Sequence, residues 1–345
     1  TSYQNITPPP RGGGGKKRLD YLDAARALAM ICVVYHHVMI FTLDLKFPIF
    51  SGDFVTVFMV PLFFFISGYV AYKPVETWTS GYTLKKIFNK AQLLLIPTVV
   101  FFTLFVFLTG RSWRFAGGYW FTYSLFEMFL IYYLTSYVCQ KCCRRLYIGI
   151  LIAVSAIVMA ATVVTFGSQI FYYLQLYEMR LFLPYFILGL LAKRFRDRFL
   201  RMLDKDGIIC TLIITIVATS IWVFKLDVIE INVHLYTLVY GILRVATVAL
   251  LFNCFRKSEN FWSGDSTTAR LFRAIGKRTL DIYMIHYFFL WPAITPARDF
   301  LTDSPNEMMI IPACLMLTTV AIALSLLISK LLRSCDFIAT WLCGK

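Results

Sequence analysis

About ten predominantly apolar stretches follow one another along this chain, at roughly 22–42, 54–72, 91–109, 119–139, 146–166, 179–194, 207–225, 235–255, 279–296 and 308–332. Each is long enough to cross a hydrocarbon core of ~30 Å. Lipid offers the backbone no hydrogen bonds, so every N–H and C=O must be paired within the protein, and segments of this length do so as α-helices. With 59% hydrophobic and 15% charged residues among 345, little remains beyond short connections, and a separate soluble domain is not expected. The expected fold is an all-α integral membrane protein of about ten transmembrane helices.

A formal net charge of +15 raises nucleic acid as a partner, and the positions of the cations decide against it. With a cytoplasmic N-terminus, 26 of the 34 Lys and Arg residues fall in segments on the inner side. Lys46, Arg111, Arg114, Lys225 and Arg298 fall outside, while Arg26, Arg180 and Arg244 lie within spans. This bias predicts an even number of spans and both termini cytoplasmic, in a multi-pass protein of the cell or inner membrane. Contact with anionic lipid is a secondary consequence. The Pro- and Gly-rich residues 1–18 read as a flexible cytoplasmic tail, 19–333 as the transmembrane domain and 334–345 as a second short cytoplasmic tail. A cytoplasmic Asn5-Ile6-Thr7 faces the wrong side for glycosylation, and the first apolar segment is too long and too charged for a cleavable signal peptide.

Of the nine cysteines, Cys32, Cys210, Cys254 and Cys314 fall in spans and Cys139, Cys142, Cys143, Cys335 and Cys343 near the cytoplasmic side, so reduced thiols are expected. Cys139, Cys142 and Cys143 have the spacing of half a zinc site. No second half is near, no metal is expected, and reversible palmitoylation fits this cluster better.

The unusual chemistry is in "RALAMICVVYHHVMI", residues 26–40. Asp20 is expected to cap this first helix, and Asp23 forms an i,i+3 pair with Arg26. The plain account of Arg26 is a juxtamembrane cation that snorkels to the cytoplasmic face. At about 100° per residue, however, Arg26 and His37 return to within ~20° of one face, whereas His36 lies ~80° away. The same geometry separates Arg26 from His37 by ~16 Å along the axis, from the cytoplasmic mouth to mid-membrane. An imidazole at that depth calls for a polar cavity or an interhelical hydrogen bond, and it is the side chain suited to act as a base or acid near neutral pH.

"RLDYLDAARALAMICVVYHHVM" resembles the first helix of the type-3 acyltransferase family, integral membrane enzymes that move acyl groups, usually acetyl, from acyl-CoA to sugars or other acceptors. Leu22, Asp23, Arg26 and His37 match its pattern of an L-D start, an Arg, ten residues and a His; Ala25 and Ala27 depart from it, away from the reactive pair. "VPLFFFISGYVAY" (60–72), with Ser67 and Gly68 allowing close helix approach, "GYWFTYSLFEMFLIYYL" (118–134), "LFLPYFILGLLAKR" (181–194) and "IGKRTLDIYMIH" (275–286) are similar to its later segments in order and spacing. The resemblance covers about residues 18–333. It implies a transmembrane acyltransferase domain with acyl-CoA, foremost acetyl-CoA, as co-substrate, and a hydroxyl of a cell-surface or lipid-linked carbohydrate as acceptor.

On this reading CoA phosphates meet the inner cationic loops with Arg26 nearest the entrance, and the pantetheine arm spans the ~16 Å to His37. His37 serves as general base on the acceptor hydroxyl, with an acyl-histidine relay as the rival. Arg244, Ser67 or a backbone N–H is the nominee to steady the carbonyl oxygen. Arg244 has two open roles, structural pairing with Glu127, Glu178 or Asp281 and contact with the thioester or CoA. Glu127 either orients His37 or makes a plain interhelical hydrogen bond. Tyr283 and His286, one turn apart, are cavity or donor-side candidates, Arg180 is structural or on the acceptor side, and His234 has no role. A transporter of a small anionic or sugar-like solute suits the same helices, although no internal repeat is visible. An amine or other non-glycan acceptor is the further alternative, with a receptor or scaffold behind it.

Overall fold

In a computed structural model the residues described are 19–45, 50–110, 118–165, 176–225, 233–290 and 307–342. The expectations for the 1–18 tail and Asn5, for Lys46, Arg111, Arg114 and Arg298, for residues 291–296 and for Cys343 lie outside them, as does the side chain of His234.

Helices α1 (Asp20–His37), α2 (Phe50–Ala71), α3 (Ser80–Thr109), α4 (Trp120–Cys142), α5 (Tyr147–Val164), α6 (Leu176–Arg194) and α7 (Arg196–Leu203) come first. They are followed by α8 (Ile208–Lys225), α9 (Val233–Lys257), α10 (Glu259–Ser263), α11 (Thr267–Lys277), α12 (Thr279–Ile285), α13 (Glu307–Leu332) and α14 (Asp336–Leu342). A π-turn, Val38–Thr42, extends α1, and a 3-10 turn, His286–Phe289, extends α12. No strand occurs among the described residues, and the all-α expectation holds.

Among the described residues six helices are long and apolar enough to cross a membrane, and α7 with α8, bent by 79° at the break between them, make a seventh if taken as one span. All ten apolar stretches are nonetheless helical through nearly all of their described parts. The shortfall from ten has a physical source. α4 and α6 have sufficient length, 23 and 19 residues, but Tyr and charged side chains dilute their apolar character. α12 lasts 7 residues before its 3-10 turn.

Local chemistry sets several helix ends. The Thr79 side chain accepts the Tyr82 N–H at the start of α3, and Gly110, in the left-handed region at φ 66°, ends it. Leu19 stands at the N-cap of α1 without a side-chain cap bond, so Asp20 is the first helical residue and not the cap. Its expected i,i+3 partner pair does form, with Arg26 Nη1 donating to Asp23 Oδ1 at 3.3 Å.

Backbone-to-backbone contact holds α2 and α6 together. Gly68 lies against the Phe186 carbonyl and Gly189 against the Phe65 carbonyl, and a Cβ at either position would collide with backbone that has no freedom to yield. Gly276 of α11 sits in the same way on the Asp23 backbone of α1. Five residues later, α12 is tied to the end of α13 by buried Asp281, which accepts from Arg333 Nε at 2.9 Å and Nη2 at 3.1 Å and from the Ser329 hydroxyl. These contacts bring α1, α2, α6 and α12 around a common centre.

Candidate active site

α1, α2 and α4 line two cavities in succession. The first, of about 250 Å³, is bounded by Met30, Val33, His36 and His37 of α1, by Thr56, Met59, Val60 and Phe63 of α2, and by Trp120 and Phe121 of α4. Phe182 of α6, Arg244 of α9 and Tyr283 of α12 close it. The second, of about 340 Å³, uses Arg26 of α1, Ser67, Val70 and Ala71 at the far end of α2 with Lys73 just beyond it, and Leu125, Phe129 and Tyr133 farther along α4. Trp78 precedes α3, and Tyr82, Lys86, Asn89, Lys90 and Leu93 of α3 complete that wall. The residue order runs consistently on all three shared helices, so the cavities stand end to end along the bundle axis.

The second cavity is basic. Arg26, Lys73, Lys86 and Lys90 line it and no acidic residue does, although Asp23 pairs with Arg26 behind its wall. Aromatic rings surround these cations: Lys90 Nζ lies 4.1 Å from the Phe129 ring centroid and Lys86 Nζ 5.3 Å from that of Tyr82. Trp78 is 1% exposed and its Nε1 has no hydrogen-bond partner there. Four cations with aromatic walls suit an anion carried on a flat heteroaromatic group.

The first cavity is an aromatic chamber with few polar groups. Phe182, Phe64 and Trp120 cluster with near-parallel rings, the Phe182 centroid lying 5.3 and 5.5 Å from the other two and those two 6.5 Å from each other. Arg244 stands over Tyr240 at 4.3 Å and Phe182 at 5.7 Å. Asp281 is engaged by Arg333 and Ser329, and Glu127 neighbours Tyr123 and Glu178, so neither meets Arg244. Of the two open roles of Arg244, pairing with Glu127 or Asp281 does not form, and its guanidinium lies over ring faces.

His37 Nδ1 is 2.8 Å from Nε2 of His286, and His286 Nδ1 is 2.9 Å from the Ile282 carbonyl oxygen. His286 is 0% exposed and is absent from the walls of both cavities, so it meets the chamber through His37. Around it, the Tyr283 and Tyr287 hydroxyls donate to the Gly118 carbonyl at 2.6 and 2.7 Å, and the Tyr119 hydroxyl donates to Met284 O at 3.0 Å. This network locks the start of α4 to α12.

Residues 19–330 match a family model described as an acyltransferase domain. The chain belongs to the type-3 acyltransferase family. No curated protein and no solved structure matches this acyltransferase. Membership speaks for a membrane enzyme over the transporter reading, and the structure gathers the sequence candidates into groups. His37, Arg244 and Tyr283 share the chamber, Arg26 and Ser67 share the basic cavity, and Glu127 lines neither. Arg180 is exposed on α6. His36 also lines the chamber, although it stands ~100° around the helix from His37.

In the sequence of this acyltransferase Lys73, Lys86 and Lys90 stand among the inner cationic loops expected to meet CoA phosphates, without being distinguished as one site. A signal was available in "YTLKKIFNKAQL": Tyr82, Lys86, Asn89, Lys90 and Leu93 recur at three- and four-residue steps on one helical face. Among the described residues no group of three or more His, Cys, Asp or Glu side chains converges on a metal site.

Proposed function

We propose that this acyltransferase moves an acyl group, acetyl in the first instance, from acyl-CoA to an acceptor hydroxyl on a cell-surface or lipid-linked carbohydrate. The observation that carries the proposal is the end-to-end alignment of a four-cation cavity and a histidine-bearing chamber on α1, α2 and α4. CoA has the matching form, with phosphates and an adenine at one end and a thioester at the end of a thin arm. Arg26 and His37 are separated by ~16 Å along α1, a span that an extended pantetheine covers.

In the proposed step, His37 takes the proton of the acceptor hydroxyl as that oxygen bonds to the thioester carbonyl carbon. The C–S bond then breaks, and the CoA thiolate leaves with the proton held by His37, so CoA thiol and acyl ester are the products. Arg244, held over ring faces without a carboxylate at its side, stabilises the carbonyl oxygen while it carries negative charge. The orientation that suits this donor has both termini and the basic cavity on the cytoplasmic side.

Membranes containing the protein, incubated with acetyl-CoA labelled in its acetyl group, provide the test. Label is expected in extracted glycans or lipids by mass spectrometry, and its transfer should vanish in His37→Ala. Label confined to proteins or amines would replace the hydroxyl acceptor, and label independent of His37 would remove the base. A labelled acyl-protein formed with donor alone and lost in His37→Ala would instead establish the acyl-histidine relay.

A further inference from the structure

We propose that His286 is a positioning residue that fixes the proton of His37 on Nδ1 and so leaves the basic lone pair on Nε2, the ring nitrogen not engaged by His286. This rests on the reading of His37 as the base. The inference follows from two hydrogen bonds read in sequence. A carbonyl oxygen has only lone pairs, so the contact between His286 Nδ1 and Ile282 O at 2.9 Å requires the hydrogen on Nδ1. The neutral His286 ring then has its lone pair on Nε2. That nitrogen is 2.8 Å from His37 Nδ1, and two lone pairs cannot share a hydrogen bond, so His37 Nδ1 donates. One tautomer of His37 remains, with Nε2 bare.

The ring geometry agrees. The two imidazole planes are parallel within 5° and their centroids are 5.2 Å apart. With the nitrogens at 2.8 Å, this is an edge-to-edge arrangement in a common plane and not a face-on stack, so the His37 N–H points along the His286 lone pair. Tyr287 packs against both rings, at 4.1 Å from His286 and 5.1 Å from His37, and Phe41 covers His37 at 5.5 Å. The complete burial of His286 keeps water from competing for the shared hydrogen.

A histidine base usually owes its tautomer to a carboxylate. Here a neutral ring, itself held by a main-chain carbonyl, takes that position. During turnover His37 gains the acceptor proton at Nε2 while its Nδ1–H bond to His286 becomes charge-assisted, and no proton passes to His286. The arrangement stabilises the transient imidazolium less than a carboxylate would, but it leaves no permanent charge deep among transmembrane helices.

Two variants of the full-length protein separate this role from simple packing. His286→Leu removes the acceptor, whereas His286→Gln retains an amide oxygen able to accept from His37 Nδ1. Thiol release from acetyl-CoA is measured in membranes of expressing cells, with His37→Ala as background. His286→Leu should lower kcat by roughly 10- to 100-fold, the loss seen when the hydrogen-bond partner that orients a metal-bound imidazole is removed, with KM for acetyl-CoA unchanged. His286→Gln should recover most of kcat. In purified full-length protein labelled with 15N-histidine, NMR should show His37 protonated at Nδ1 and bare at Nε2, and a mixture of tautomers in His286→Leu. Equal losses in the two variants, a loss carried by KM, or a wild-type His37 protonated at Nε2 would overturn the proposal. If His37→Ala retains turnover, the base reading fails, and the NMR tautomer judges the positioning claim separately. If only His37→Ala loses turnover while His286→Leu keeps it, the positioning claim alone falls.

Discussion

At the scale of single residues, the division of labour between the two cavities is what experiments can separate. Arg26 and Lys90 line the basic cavity and not the chamber. Arg26→Gln or Lys90→Gln should therefore raise KM for acetyl-CoA about tenfold, the equivalent of one charge-assisted hydrogen bond, while kcat stays within about twofold. Steady-state kinetics at several salt concentrations checks this, and a fall in kcat at constant KM would move those cations to the chemistry. His36 shares the chamber but makes no bond to His286, so His36→Ala should reduce thiol release without abolishing it, in contrast to His37→Ala. Helical phase in the sequence distinguished these two histidines only by angle. The partner that sets them apart is 249 residues distant along the chain, and no local pattern could supply it.

At the scale of helices, small residues and one ion pair hold the site's walls in register. Gly68→Val forces a side chain into the Phe186 carbonyl across the α2–α6 contact; a shift of α2 would move walls of both cavities and a shift of α6 the wall of the chamber. The expected cost is about 1–3 kcal/mol, read as a lower melting temperature of the detergent-solubilised protein, together with reduced thiol release. Gly81, with open space around its position, provides the control: Gly81→Ala should leave melting nearly unchanged. Asp281→Asn weakens the bond to Arg333 that ties α12, and with it His286, to α13. A loss of about 1.5–3 kcal/mol is expected, at the level of a hydrogen bond to a charged group because Arg333 remains 24% exposed. Asp281→Leu combined with Arg333→Met should recover much of it, and an equally unstable double variant would show that the pair is not what matters there.

At the scale of the molecule, the proposed orientation has an outcome in impermeant labelling. Cys142 is exposed at the end of α4, and Asp44 is exposed beyond the π-turn that follows His37. With all other cysteines replaced by Ser, a membrane-impermeant maleimide should label a lone Cys142 only in inside-out vesicles, and a lone cysteine from Asp44→Cys only in right-side-out ones. The opposite pattern would invert the protein and separate the basic cavity from cytoplasmic CoA. The sequence alone carried the helical class, because the demand that lipid makes on a backbone acts on each stretch separately. It also carried the family through motifs whose residues lie close together, and the Arg26–His37 phase through the constant pitch of one helix. The number of qualifying spans was less legible, since hydropathy charges α4 and α6 for polar side chains without knowing what surrounds them. The tertiary structure alone decided what faces what: Lys86 and Lys90 with Arg26, Arg244 over aromatic rings in place of a carboxylate, and His286 behind His37. These pairings depend on how α1, α3, α6, α9 and α12 pack against one another, and packing between distant segments leaves no periodic trace within any one of them.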